Sequence, residues 1–230
     1  MFRHLIAAAL AVSTAHASAS LLDQTGTVSI RMSGFSHGYA VANVNPDSFG
    51  NIGVGQLQGT LNGASFLTYC TDLSQSFKWN TTYEYTYAGT GQDHGLTVEQ
   101  ASLLGKLYTA AGDVTDRDQS VAFQLAVWEL LYEPSPANVA TGTFNYTSSS
   151  GAGVSEAHRN IANDWLTEVI ALGSAQFHAQ RLYSGTAQDF LVFTAMPQPL
   201  KITSNVPEPA GYGLVGLALA GLAASRLRRR

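Results

Sequence analysis

Residues 55–70 read Gly55-Gln56-Leu57-Gln58-Gly59-Thr60-Leu61-Asn62-Gly63-Ala64-Ser65-Phe66-Leu67-Thr68-Tyr69-Cys70. Asn-Gly between two strand-like runs is the strongest short-range hairpin signal, because a tight turn wants residues that tolerate positive φ. The stretch therefore predicts two antiparallel strands and puts Cys70 at or near the end of the second. Thr27-Val28-Ser29-Ile30-Arg31-Met32 upstream alternates like a half-buried strand, and Thr82 to Tyr87 downstream is another strand candidate.

Beyond Tyr87 the period changes. Thr97-Val98-Glu99-Gln100 has the form of a capping box, opening a helix that runs toward Ala111 and stops at Gly112. Leu103, Leu104 and Leu107 form its apolar stripe. A second helix is expected from about Asp116 to Tyr132, with Val121, Leu125, Trp128, Leu131 and Tyr132 on its apolar face. Pro134 and Pro136 forbid its continuation, since proline lacks the backbone donor. Phe144 to Gly153 reads as a Ser/Gly-rich loop. Ser155 to Leu172 reads as a third helix with Ile161, Trp165, Val169 and Leu172 aligned, and Phe190-Leu191-Val192-Phe193 as a closing strand. The expected class is α+β, with sandwich- or barrel-like strands, an inserted helical subdomain and a C-terminal hydrophobic helix.

The chain has 230 residues, 45% of them hydrophobic, enough for a packed core. Only 12% are charged, about half of the roughly 25% usual in soluble proteins. The polar surface must come from Ser, Thr, Asn, Gln, Tyr and Gly, a pattern that suits an extracellular β-rich protein. A nucleic-acid binder would need a basic stripe, and none is present. No solenoid-type repeat is visible.

Both ends are separate pieces. Residues 1–19 form a signal peptide for export by the Sec route: Arg3 supplies the basic start, Leu5 to Val12 the apolar run, and Ala15-His16-Ala17 or Ala17-Ser18-Ala19 the cleavage site. At the other end, Val206-Pro207-Glu208-Pro209 precedes an uncharged run from Pro209 to Ser225. Arg226, Arg228, Arg229 and Arg230 close the chain. As a helix the run reaches about 25 Å, near the lower limit for spanning a bilayer, and the arginines would stay cytoplasmic. This three-part order over residues 206–230 resembles the PEP-CTERM sorting signal. The resemblance implies an exosortase-type membrane protease as partner, in a Gram-negative, exopolysaccharide-producing bacterium. The chain would be held briefly at the inner membrane, cut near Pro-Glu-Pro, and released or attached at the surface. A permanent single-span anchor is the alternative. Between Ser18 and Val206 lie seven Lys/Arg and fifteen Asp/Glu, a net charge of −8. Such a segment will not adhere to anionic polymers by charge alone.

One cysteine in an exported chain cannot form an internal disulfide. Cys70 can be a buried small hydrophobe, pair between chains, act as a nucleophile, or be acylated by another side chain. Two windows bear on the choice: Phe66-Leu67-Thr68-Tyr69-Cys70-Thr71-Asp72, and Ala122-Phe123-Gln124-Leu125-Ala126-Val127-Trp128. Together they resemble the thioester domain of bacterial surface adhesins, which has an aromatic-Cys strand motif followed by a Gln-x-Ala-aliphatic-Trp helix motif. Gln124-Leu125-Ala126-Val127-Trp128 fits the second motif; Phe123 departs from the Thr common before Gln. The domain so identified runs over residues 20–205. The resemblance implies a bond between the Cys70 sulfur and the Gln124 side-chain carbonyl, formed with loss of ammonia.

A thiol does not ordinarily displace an amide nitrogen in water, but near-attack geometry can supply effective molarities of about 10⁵–10⁸ M. Gln124 and Trp128 are four apart, on one helix face, so Trp128 can cover the site and restrict water. A partner amine or hydroxyl could then attack the Gln124 carbonyl, release Cys70 as a thiol and stay covalently bound. This is one event per molecule, not enzymatic turnover. The rivals are a noncovalent exopolysaccharide or biofilm-matrix protein with an inert cysteine, and a secreted Cys hydrolase drawing on His37, His94, His158 or His178. No cofactor and no metal is expected. Asp113, Asp116 and Asp118 lack the spacing of a calcium loop and fit helix capping better, and Asp72 fits a turn cap. Exposed Tyr and Trp could stack on sugars, although the aromatics fit core positions equally well.

Overall fold

The computed structural model describes residues 23–45, 49–133, 138–142, 144–148 and 153–197. The signal peptide, the Pro134 and Pro136 stop, and the whole sorting tail with its expected helix lie outside the described residues.

Nine strands and three helices appear among them. They are β1 (Thr27–Phe35), β2 (Ala40–Asn45), β3 (Phe49–Val54), β4 (Leu57–Leu61), β5 (Ala64–Thr68), β6 (Thr82–Ala88), α1 (Val98–Ala111), α2 (Arg117–Tyr132), β7 (Asn145–Ser148), α3 (Glu156–Ala171), β8 (Phe177–Tyr183) and β9 (Phe190–Ala195). The hairpin forms as its sequence dictates: Asn62 and Gly63 take φ of 50° and 83°, and Leu61 faces Ala64 across the turn. Helix α1 carries the expected capping box, Thr97 with Gln100, and ends at Gly112 with φ of 64°.

Six strands form one antiparallel sheet in the order β5-β4-β1-β6-β8-β9. Its two edges meet just beyond β5. Leu191 N–H donates to the Tyr69 carbonyl and Thr71 N–H to the Asp189 carbonyl, both at 3.0 Å, with Cys70 opposite Phe190 in an antiparallel bridge. The sheet is thus drawn into a near-barrel, and pairing its edges removes unpaired backbone groups that would otherwise need cover. Cys70 sits in the closing seam.

Alternation of side chains sorts the core into two parts. Val28, Ile30, Met32, Tyr85, Leu182 and Phe190 join one cluster. Ala179 and Leu191, next to them in sequence parity but on the opposite face, join a larger cluster with the helices. Both faces of β8 and β9 are therefore covered. Helix α2 is buried all round from Ser120 to Leu130, the state expected of a helix wedged between layers. The helices follow β6 and precede β8, so they are inserted within the order of the sheet, yet they share its core rather than forming a separate subdomain.

Two expectations need correction. Asn145–Ser148, read as loop, is strand β7 on the edge of a second sheet, β3-β2-β7. Its polar sequence carries no alternation because an edge strand is held by backbone pairing to β2, which local sequence does not report. Helix α2 does not have one apolar face; Gln124 and Glu129 are as buried as its leucines.

Candidate functional site

Antiparallel pairing turns alternate backbone groups to opposite sides of a strand. At the seam, Tyr69 and Thr71 spend theirs on β9. Cys70 faces the other way, where β4 would have continued had it not ended at Leu57. Helix α2 fills that place. Gln124 Oε1 accepts from Cys70 N–H and Gln124 Nε2 donates to the Cys70 carbonyl, each at 2.9 Å. The carboxamide stands in for a missing peptide, and two buried backbone groups are satisfied by one side chain.

The same helix face grips the neighbouring strand. Ser120, one turn before Gln124, accepts from Gln56 N–H at 2.7 Å. Gln56 Nε2 in turn donates to the Tyr69 hydroxyl at 3.0 Å. Tyr132 holds the next stretch, its hydroxyl donating to Thr71 O at 3.0 Å and accepting from Leu73 N–H at 3.1 Å. Positions 120, 124, 128 and 132 thus form a stripe at helical spacing aimed at the seam. Phe123, the departure from the adhesin-like pattern, has a local cause: it stacks on Tyr69 with ring centroids 4.3 Å apart.

Cys70 Sγ donates to the Asp72 carbonyl at 3.0 Å. Burial pushes the thiol pKa well up; the Asp72 contact and the Trp128 indole N–H oppose that shift, while the Asp72 and Asp189 charges reinforce it. The indole N–H is buried and meets no hydrogen-bond acceptor at normal geometry, which leaves it free to favour charge developing on the sulfur. Cys70, Gln124 and Trp128 line one cavity of about 500 Å³.

The remaining candidates fall elsewhere. Asp72 Oδ1 accepts from Ser74 N–H and Oγ at 2.7 Å, a turn cap. Asp116 caps α2 by accepting from Gln119 N–H. Asp118 bonds His158 Nε2 at 2.9 Å, and His158 Nδ1 accepts from Ser155 N–H at the start of α3. Burial holds the His158 pKa below its usual value, against the pull of Asp118. His178 bonds Asp23, and His94 stacks on Tyr183. No histidine lines the cavity, so a Cys-His hydrolase has no base beside Cys70 among the described residues. Those residues also contain no group of three or more His, Cys, Asp or Glu arranged to hold a metal ion. Among them, too, no helix is long and apolar enough to cross a membrane.

The sequence reading missed Ser120, Gln56 and Gln188. Gln188 Nε2 donates to the Asp72 carbonyl at 2.8 Å, the carbonyl that also takes the thiol. Only Ser120 carried a signal, its four-residue offset from Gln124. Behind the seam, burial raises the Asp189 pKa to about 6 from 3.8, against a hydrogen bond from Ser184 N–H and the Arg181 charge. The folded state therefore binds more protons than the unfolded chain between pH 4 and 6. This group's contribution to stability falls as pH rises through that window. Asp189→Asn keeps the acceptor but not the charge. Its melting temperature is expected to match wild type near pH 4 and exceed it by several degrees at pH 7, read by circular dichroism.

Fold and site together describe an α+β near-barrel with a buried Cys–Gln pair at its closure, opening on an uncharged cavity. Residues 205–230 match the PEP-CTERM protein-sorting motif. A chain bearing that motif is an exported protein, processed by an exosortase after transient membrane anchoring and destined for the surface or the exterior. No curated protein and no solved structure matches the chain.

Proposed function

We propose that this protein is a surface or extracellular-matrix module that attaches covalently to its partner through a Cys70–Gln124 thioester. It would be exported by the Sec route in a Gram-negative bacterium and released from its tail by an exosortase. The observation that carries the reading is the double hydrogen bond between the Gln124 carboxamide and the main chain of the residue bearing the thiol.

That geometry has a chemical use. When Sγ attacks Gln124 Cδ, negative charge develops on Oε1, where Cys70 N–H already donates, as in an oxyanion hole. The S–C bond forms and the C–N bond breaks. The thiol proton leaves with Nε2, so the product is ammonia. Burial that keeps the thiol protonated also restricts water at the thioester. The whole is a self-directed, single-turnover reaction.

Intact-mass measurement tests this. Wild-type protein is expected to be lighter than its sequence by one ammonia. A small amine such as methylamine should add to it, and Cys70→Ala should show full mass. A wild-type chain at full sequence mass with an alkylatable thiol refutes the thioester. For the tail, the mature protein is expected to lack Arg226–Arg230; full-length protein retained in membranes refutes processing.

A further inference from the structure

The cavity in front of Cys70 and Gln124 is lined by Phe35, Tyr39, Phe77 and Trp79 and by uncharged polar residues, Ser74, Gln75, Ser76 and Gln188. Among the described residues, no charged side chain lines it. Tyr39 and Trp79 are large aromatic residues, yet they remain 47% and 44% exposed. They are also held in place. Tyr39 stacks on Phe35 with centroids 4.6 Å apart, and Trp79 meets Phe35 and Phe77 in T-shaped contacts at 5.5 and 4.7 Å. Phe35, Tyr39 and Trp79 also border a second hollow of about 530 Å³, lined further by Ser33, Gly34, Gly38 and Asn80 and again without a charged side chain. The aromatic group is a fixed ridge between two neutral hollows.

We infer that this ridge is a binding platform for a neutral polysaccharide, whose pyranose rings pack on Trp79 and Tyr39 and one of whose hydroxyls is presented to the Gln124 carbonyl. Aromatic faces match the C–H faces of sugar rings, and Ser, Gln and Asn match hydroxyls. A lysine side chain is charged at neutral pH. Among the described residues no carboxylate lines either hollow, so a lysine ammonium placed there would leave water without a direct ion-pair partner. Arg117 and Arg31 stand at the edge of the hollows with their Nε donors on the Tyr39 and Asn80 carbonyls, at 3.0 and 3.1 Å, and among the described residues no guanidinium or ammonium is in the lining to meet a polyuronate's carboxylates. Two hollows flanking one ridge suit a chain rather than a single small molecule.

The covalent step rests on the thioester reading; the binding step does not. In the covalent step the sugar oxygen bonds to Gln124 Cδ, the C–S bond breaks, and the hydroxyl proton passes to the sulfur. The products are an ester and the Cys70 thiol.

Affinity gel electrophoresis tests the platform. Purified wild type, Cys70→Ala, Trp79→Ala, Trp79→Phe and Tyr39→Ala would be run through gels containing a neutral glucan, mannan or galactan, a polyuronate, or a lysine-rich peptide. At least one neutral polymer is expected to retard Cys70→Ala, and wild type at least as strongly. Trp79→Ala should weaken retardation about tenfold, and Trp79→Phe should restore most of it. Tyr39→Ala should weaken it too, with circular dichroism unchanged. Denaturing gels of the same mixtures read the ester, expected in wild type and Trp79→Phe and absent from Cys70→Ala. Retardation with no ester in any sample keeps the platform and refutes the thioester. Attachment to the lysine peptide without retardation by any neutral polymer keeps the thioester and overturns the platform. Preference for the polyuronate, or undiminished binding by Trp79→Ala, also overturns it.

Discussion

Gln124→Ala is expected to destabilise the protein by about 3 kcal/mol, measured as a difference between Cys70→Ala and the Cys70→Ala/Gln124→Ala double variant. The background matters: with no thiol there is no thioester, so only the carboxamide's structural work is compared. Truncation leaves the Cys70 N–H and C=O without partners in the seam, at about 1–3 kcal/mol for each buried group. Water entering from the adjoining cavity offsets part of that, so the sum falls below the upper limit. Gln124→Glu separates pairing from chemistry. A neutral glutamic acid can accept from Cys70 N–H and donate to Cys70 O. A glutamate anion turns a second oxygen onto that carbonyl. The Gln124→Glu variant should therefore be most stable at low pH and lose stability as pH rises and the carboxyl ionises. It has no ammonia to release, so it should show full sequence mass. A double variant as stable as its background would mean that the two hydrogen bonds contribute nothing.

Legibility of the fold followed the locality of its determinants. Asn62-Gly63 and Thr97 with Gln100 act within a few residues, and their hairpin and helix start stand where the residues place them. Strand β8 went unread because both its faces are buried: Phe177-His178-Ala179-Gln180-Arg181-Leu182-Tyr183 shows no alternation when Ala179 packs under the helices and Leu182 on the opposite face. Strands β2 and β7 are small or polar and depend on each other for pairing. The near-barrel itself is set by Tyr69–Thr71 meeting residues 189–191 across about half the chain, a contact without local trace.

At the site, the four-residue spacing of Gln124 and Trp128 was legible, since helix geometry alone fixes it. That the carboxamide would engage the main chain of Cys70 was not, because it depends on where β4 ends. The aromatic ridge was hidden for a different reason. Sequence alone left the aromatics as fit for core positions as for sugar stacking, and only the fold leaves Tyr39 and Trp79 half exposed beside a neutral hollow.

Gly105→Ala is expected to destabilise the protein by about 2 kcal/mol. Two effects oppose. In an isolated helix, alanine is better than glycine by about 1 kcal/mol. Gly105, however, is the point where α1 meets the start of β8. A Cβ there would lie 2.2 Å from the Phe177 carbonyl oxygen and 3.2 Å from the Ala175 side chain. Carbonyl oxygen belongs to backbone and cannot swing away, so helix and strand must separate. Separation strains the packing of Leu104 and Leu107, both fully buried, and overpacking of this kind typically costs about 1–3 kcal/mol, with backbone clashes at the upper end. The clash should outweigh the propensity gain. Because β8 pairs with β9, and β9 closes the seam at Cys70, the displacement should also reach the site. Thermal unfolding reads the stability; the yield of ammonia loss by intact mass reads the seam. A Gly105→Ala chain that melts at or above the wild-type temperature would show that α1 does not rest on β8 through this residue.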